Sequence, residues 1–164
     1  GPGQQIIVQC EAAAGIGERR DEWQEVIYEP LKGMLPRADK LTYHDLMKAH
    51  WAREDYWDAI RPIFENYDAL LTPTSSITAP DNGTLGPREI AGQKVRSLSW
   101  LGFCVPFNMT WQPAASVPAG FDDAGLPVGL QIVGPRFGEA LLFRLSAAFQ
   151  RAAPWDRRPP VVAE

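Results

Sequence analysis

Cysteine and histidine are scarce in this sequence, with two residues of each among 164. Two cysteines, Cys10 and Cys104, are too few for a disulfide scaffold or for a zinc site built from four thiolates. The spacing of His44 and His50 does not bring two imidazoles together on one face of a helix. We therefore expect no metal and no cofactor, and free thiols in a reducing cytoplasm.

Long apolar runs and clusters of positive charge are also missing. No stretch approaches the roughly 20 apolar residues that span a bilayer, and no basic segment followed by an apolar one marks a signal peptide. The 16 basic and 20 acidic residues give a net charge of -4, and no run of Lys or Arg exceeds a pair. We therefore expect a cytoplasmic protein without nucleic-acid or membrane partners.

The residue composition changes along the chain and divides it into three parts. Residues 1–67 are charged, rich in tryptophan and nearly free of turn signals after Pro36, which predicts helices. Residues 68–153 alternate short apolar runs with proline and glycine, which predicts strands, loops and helices. The prolines and charges of residues 154–164 predict a loosely held tail. The expected fold class is therefore α/β, with the helical part first.

One long helix is predicted in the first part. Thr42 followed by Asp45 resembles a capping box, and apolar residues then recur at helical spacing as far as Phe64. Pro62 is expected to kink or end this helix. Arg53 lies on the apolar stripe, and we expect its guanidinium to reach water from the edge of that stripe.

The second part contains the predicted strands. Residues 68–73 form a short apolar run that predicts a buried strand. Residues 128–133 are apolar at nearly every position, which favours a central strand. Residues 114–117 predict a strand that Pro118 ends, and a turn at 123–125 would join it to the central strand as a hairpin.

Two further helices are predicted beside these strands. Residues 97–108 are mostly apolar and predict a helix as far as Pro106. Residues 139–152 place their apolar side chains on one helical face. The intervening residues 74–93 are rich in turn formers and predict a long loop.

Three segments of the second part carry a family resemblance. Residues 67–74 read YDALLTPT, residues 106–120 read PFNMTWQPAASVPAG, and residues 126–134 read LPVGLQIVG. In this order they resemble the amidase-signature enzymes. The resemblance implies a portion of the amidase-signature fold, a mixed sheet flanked by helices, in an enzyme that hydrolyses amides.

The same resemblance implies a Ser-Ser-Lys triad, which the family carries in a glycine-rich loop of its N-terminal half. No such loop occurs here, so we expect no catalytic residue in this segment. Ser75-Ser76 lacks flanking glycines, and Lys94 lies near two serines only in sequence. A stand-alone enzyme that uses Ser75, or Cys104 paired with a histidine, stays open as an alternative.

Two departures from the family pattern bear on the substrate. Trp111 stands where the family has glycine, and we predict that it faces the substrate. Residues 100–104 lack the acidic residue with which the A subunit of the tRNA-dependent amidotransferase binds glutamine. The matching arginine-rich segment upstream is also not recognisable, and both absences favour a less polar, non-peptide amide. The resemblance implies substrate-binding roles for Thr74, Trp100, Cys104 and Trp111.

The sequence is therefore interpreted as the C-terminal portion of an amidase. It would complete the sheet and form one wall of the substrate pocket, with the N-terminal catalytic half as its partner. Two alternatives remain open. One is a non-catalytic scaffold or subunit-binding relative, and the other is the A subunit of the amidotransferase.

Self-association is the first testable expectation. Residues 128–133 form an apolar strand of the kind that is covered on both faces, and much of that cover belongs to the half that is missing here. Exposed apolar faces and open strand edges recruit partners. We therefore expect either that the N-terminal helices cover the sheet edge or, as the preferred outcome, that the chain forms a symmetric homodimer. Light scattering behind size exclusion measures this. A monomer over a wide concentration range, unfolding cooperatively without binding apolar dye, would contradict it.

Overall fold

The computed structural model describes residues 2–23, 25–96 and 98–155. Its internal contacts divide the chain into two units, Gly1–Ala59 and Ile60–Glu164. Within the described ranges, no helix combines the length and the apolar character that crossing a membrane requires. The α/β fold class is confirmed, with helices preceding a small sheet.

The first unit is helical. Its buried side chains include Ile7, Leu35, Ala38 and Ala49, and α1 packs against α4. Near the N-terminus, a Cβ on Gly3 would lie 3.8 Å from the Cα of Ala49. The helices are α1 Pro2–Ile16, α2 Arg20–Trp23, α3 Glu29–Lys32, α4 Leu35–Ala38 and α5 Tyr43–Ile60.

The predicted capping box starts α5. The Thr42 amide donates to the Asp45 carboxylate at 2.9 Å, and the Asp45 amide donates to the Thr42 hydroxyl at 3.2 Å. The hydrogen bond from the Thr42 hydroxyl holds the pKa of Asp45 below its ordinary value. The helix ends at Ile60, and Pro62 lies in the 3-10 turn that follows. Both predictions are confirmed.

The expectation for Arg53 is wrong. Its side chain is only 3% exposed and does not lie at a solvated edge. It follows Ala49 by one helical turn, and Ala49 is equally buried. This face of α5 is therefore packed at the level of Arg53, which the apolar stripe alone did not reveal.

The second unit contains the strands, and β5 is central as predicted. The sheet has the order β1-β5-β4 within the described residues, with antiparallel pairing throughout. The mixed pairing implied by the family resemblance remains a prediction. The strands are β1 Leu70–Pro73, β2 Glu89–Ile90, β3 Gln93–Lys94, β4 Ala114–Phe121 and β5 Pro127–Val133.

Strand β1 is less buried than expected. Leu71 is 59% exposed although the run around it is apolar. In the described part of the chain, β1 pairs only with β5 and occupies an edge of the sheet. An apolar run therefore identified the strand but not its position in the sheet.

Pro118 does not end β4, which continues to Phe121. Proline lacks an amide hydrogen, but a strand that pairs on one side can tolerate it at a bulge. The register between β4 and β5 shifts between Pro118 and Gly120, which is such a bulge. The prediction failed because it treated proline as a terminator regardless of strand position.

The hairpin between β4 and β5 is confirmed and is organised by Asp122. Its carboxylate accepts the amides of Ala124 and Leu126 at 3.0 and 2.8 Å. The Thr78 hydroxyl donates to the same carboxylate at 2.7 Å and is the main cause of its lowered pKa. Asp122 thus fastens the long loop after β1 to the hairpin.

Pro106 begins a helix where the sequence predicted an end. Helix α6 spans Val105–Thr110 with Pro106 in its first turn, where the amide that proline lacks would have no helical partner. Residues 99–101 form a separate 3-10 turn, and Ser97 lies outside the described residues.

Helix α7, Glu139–Ala152, covers one face of the sheet. Its buried Leu142 packs with Val117 and Ile132 from β4 and β5. Beyond the helix, Trp155 stacks on Phe121 with ring centroids 4.8 Å apart. Residues 156–164 of the predicted tail lie outside the described residues.

Candidate substrate-binding wall

Part of the sheet face opposite α7 is polar, beside the buried Val133 on the same face. Side chains alternate between the two faces along a strand, and Gln131 is paired with both Thr72 and Ser116 in the ladder. Thr74 and Gly129 lie two residues farther along and share this face. Together these five residues form what we call the polar face.

Gln131 attaches the segment before α6 to this face. Its side-chain amide donates to the Thr72 hydroxyl at 2.8 Å and to the Phe103 carbonyl at 3.0 Å. The residue is only 5% exposed, so its polar atoms depend on these partners. The contact brings residues just before α6 onto the central strand.

Three of the four predicted substrate-binding residues are thereby brought into one region. The Cys104 thiol donates to the Thr74 carbonyl at 3.1 Å. The Ser76 amide donates to the Trp100 carbonyl at 3.0 Å, and the Trp100 indole donates to the Leu85 carbonyl at 3.1 Å. The loop after β1 and the segment before α6 therefore hold Thr74, Trp100 and Cys104 together.

Trp111 occupies a different position, at the end of α6. Its backbone is left-handed, with φ of 56°, and it is 62% exposed. The Arg136 guanidinium lies 5.8 Å from the ring centroid and donates to the Thr110 carbonyl at 2.7 Å. That Trp111 faces a substrate stays a prediction.

The conformation of Trp111 explains why glycine is common there. The position is not part of a strand. Instead, it is a helix C-cap in the left-handed region, where glycine is favoured because it has no Cβ. The glycine of the family motif was itself the signal that a cap follows Thr110.

Two buried glutamines, Gln112 and Gln131, organise this region and were not predicted from the sequence. Gln112 accepts from the Thr110 hydroxyl and donates to the Gly134 carbonyl, both at 2.8 Å. It joins the end of α6 to the end of β5, as Gln131 joins the segment before α6 to the middle of β5. A polar side chain inside an apolar run, as at Gln131, was the available signal.

The residues that resembled catalytic ones in the sequence do not form a triad within the described part of this unit. The Ser75 hydroxyl donates to the Ile77 carbonyl, and Lys94 is exposed on β3. His44 and His50 belong to the other unit. Among the residues that the structure describes, no group of three or more His, Cys, Asp or Glu is placed to hold a metal ion.

The model of the Amidase family matches residues 18–143 of this sequence. The chain belongs to the amidase family. This confirms the amidase-signature resemblance, and the match includes all four predicted substrate-binding residues. It extends well before residue 64, into helices whose sequence carries no distinctive motif.

Individual amidases show the same relationship. The chain is 36% identical to an acylamidase of Rhodococcus erythropolis, over 87% of this chain and 29% of that protein. It is 35% identical to the A subunit of the glutamyl-tRNA(Gln) amidotransferase of Streptococcus equi subsp. zooepidemicus (strain H70), over 61% of this chain and 19% of that protein. A bacterial aryl acylamidase of the amidase-signature family superposes with a TM-score of 0.78 at 27% identity, covering 93% of this chain and 33% of that one. The chain thus spans less than a third of the length of each of these two sequence relatives.

Replacing Trp111 by glycine is expected to change substrate preference more than stability. Glycine relieves left-handed strain of about 1–2 kcal/mol, which offsets the loss of a cation–π contact of about 0.5–1 kcal/mol. Urea denaturation should therefore show little loss of unfolding free energy. In an active enzyme that contains this chain, the ratio of kcat/KM for anilides to that for small aliphatic amides should change.

Trp111→Ala is the matched control, because it removes the indole but retains the strained backbone. It should shift the same kcat/KM ratio and also lower the unfolding free energy by about 0.5–1 kcal/mol. If Trp111→Gly alters stability while the ratio stays constant, the indole covers the helix end and has no substrate role.

Proposed function

We propose that this chain is the C-terminal portion of a cytoplasmic amide hydrolase that acts on a non-peptide amide. The observation that carries the proposal is the family match over residues 18–143, which contains no serine-rich, glycine-rich loop. In this proposal, residues outside these 164 supply the nucleophile. The chain supplies strands of the sheet and one wall of the pocket.

The character of the wall supports a substrate of low polarity. Trp100 and Cys104 offer aromatic and thiol surface, and Thr74 adds one hydroxyl; in this proposal Trp111, at the end of α6, adds a second aromatic side chain. A pocket of this kind binds an apolar group and orients it with few hydrogen bonds. The similarity to an acylamidase and to an aryl acylamidase favours acylated amines, including anilides, as the substrate class.

The A subunit of an amidotransferase is the second candidate function. The similarity to that component of a glutamyl-tRNA(Gln) amidotransferase supports it. Glutamine carries a charged ammonium and a charged carboxylate, and burying them requires paired charges. Residues 100–104, WLGFC, contain no charged side chain, so the acyl amide remains our preferred substrate.

The proposed partners follow from the same interpretation. The first is the N-terminal catalytic half, which would meet the polar face and the edges of the described sheet. The second is another copy of the chain, as the open strand edges of β1 and β4 permit. If the chain is instead part of a non-catalytic scaffold, the N-terminal half would have no amidase activity.

The 164-residue chain alone is expected not to hydrolyse amides, because it lacks the activated nucleophile. The same chain extended by the coding sequence upstream of it should hydrolyse p-nitroacetanilide. It should release little ammonia from glutamine. A colorimetric anilidase assay and an ammonia assay, run on both proteins, measure these outcomes.

Ser75→Ala in the extended protein is the matched control for the lookalike nucleophile and should retain the anilidase activity. Turnover by the 164-residue chain, abolished by a point change within it, would contradict the proposal. Efficient glutamine hydrolysis would favour the amidotransferase, and an inactive extended protein would favour the scaffold.

A further inference from the structure

Two hydroxyl groups meet across the central strand of the polar face. The Oγ1 of Thr74, just after β1, lies 2.6 Å from the Oγ of Ser116 in β4. Strand β5 lies between them, and the position beneath their contact is Gly129. A Cβ at Gly129 would lie 2.6 Å from both hydroxyl oxygens. The contact therefore exists only because the central strand has no side chain there.

Cross-strand stabilisation does not by itself account for this arrangement. Side chains stabilise a sheet mainly through directly opposite neighbours, whereas this pair reaches over a whole strand. Glycine inside a strand weakens the strand and often marks a place where another group approaches closely. The hydroxyl contact is also exposed in this unit, so a ligand can reach it.

The hydrogen-bonding capacity of the pair is well defined. Each hydroxyl has one proton and two lone pairs, and the internal bond uses one proton and one lone pair. One donor and several acceptor positions remain for a ligand. Neither group is charged, so the pair matches a neutral ligand group that both donates and accepts.

The surroundings place this polar pair beside the candidate wall. The Thr74 carbonyl already accepts the Cys104 thiol, and Trp100 is tied to the same loop through Ser76. Ligand sites combine apolar lining with a small number of placed polar groups. The hydroxyl pair supplies the polar group of such a site.

We propose that the joined hydroxyls of Thr74 and Ser116, over the bare Gly129 backbone, bind a neutral carboxamide group and so help to select the substrate. This rests on the proposed function and adds Ser116 and Gly129 to the site. A carboxamide donates through N–H and accepts through its carbonyl, which matches the pair. A carboxylate only accepts and brings a charge that the pair does not neutralise.

Binding to the 164-residue chain tests the proposal separately from catalysis. Benzamide is titrated into labelled protein, and backbone amide shifts are followed by two-dimensional NMR. Shifts centred on Thr74, Ser116 and Gly129 are expected. Acetophenone, which lacks the N–H donor, and benzoate, which is charged, should each bind about five- to tenfold more weakly.

Three variants and one control variant complete the test. Ser116→Ala removes one hydroxyl, and Gly129→Ala places a methyl group in the contact; each should weaken benzamide binding about five- to tenfold. Thr74→Ser retains a hydroxyl and should retain binding. Tyr43→Phe, which removes the hydroxyl of a 78% exposed side chain on α5 in the other unit, is the control. Unchanged circular dichroism confirms that each variant is folded.

The proposal is overturned if benzamide shifts no resonance at these three residues, or if Ser116→Ala binds it as tightly as the unaltered chain. Equal affinity for benzamide and acetophenone would also overturn it. An inactive extended enzyme, by contrast, would contradict the proposed amidase function while leaving a positive binding result in place.

Discussion

The two hydrogen bonds donated by the Gln131 side chain are the constraint on which the candidate site depends. One reaches Thr72 in β1, and the other reaches the Phe103 carbonyl in the segment before α6. A buried amide left without partners is costly, so these bonds fix where that segment can lie. They hold Trp100 and Cys104 beside Thr74, which is otherwise far away in sequence.

The two faces of the sheet differ in the side chains that they present. Towards α7, Val117, Ile132 and Leu142 form an apolar core. On the other face, Gln131 and the Thr74–Ser116 pair leave polar groups next to tryptophan and thiol surface. Both faces contain buried residues, since Val133 is fully buried on the same face as Gln131, but the exposed Thr74–Ser116 contact makes part of that face available for recognition. That division suits a piece of an enzyme whose reacting residues come from elsewhere, as we propose.

The fold could be predicted from sequence where local chemistry decides the outcome. The capping box of Thr42 and Asp45 and the hairpin turn depend on neighbouring residues and were predicted correctly. The central position of β5 was also predicted correctly, from the nearly continuous apolar run of residues 128–133. The errors concern context. Pro118 is tolerated because β4 is an edge strand in the described sheet, and Pro106 starts a helix because it falls in a first turn.

The site was predictable only through family resemblance. No local pattern relates Thr74 to Ser116, which lies 42 residues away, because the contact depends on three-strand pairing and on Gly129. The left-handed backbone of Trp111 could not be predicted from the local sequence either. A tryptophan carries no cap signal of its own, and only its replacement of a glycine suggested one.

The most direct test of the role of Gln131 is hydrogen exchange at the Ser76 amide, which donates to the Trp100 carbonyl. Gln131→Met removes both side-chain bonds at similar volume, and the exposed Gln150→Met is the matched control. Loss of the bond to Phe103 should free the segment that carries Trp100, so exchange at Ser76 should accelerate roughly tenfold or more in Gln131→Met. Exchange at Ser76 that is equal in both variants would contradict the account, because the segment would then be held in place without Gln131.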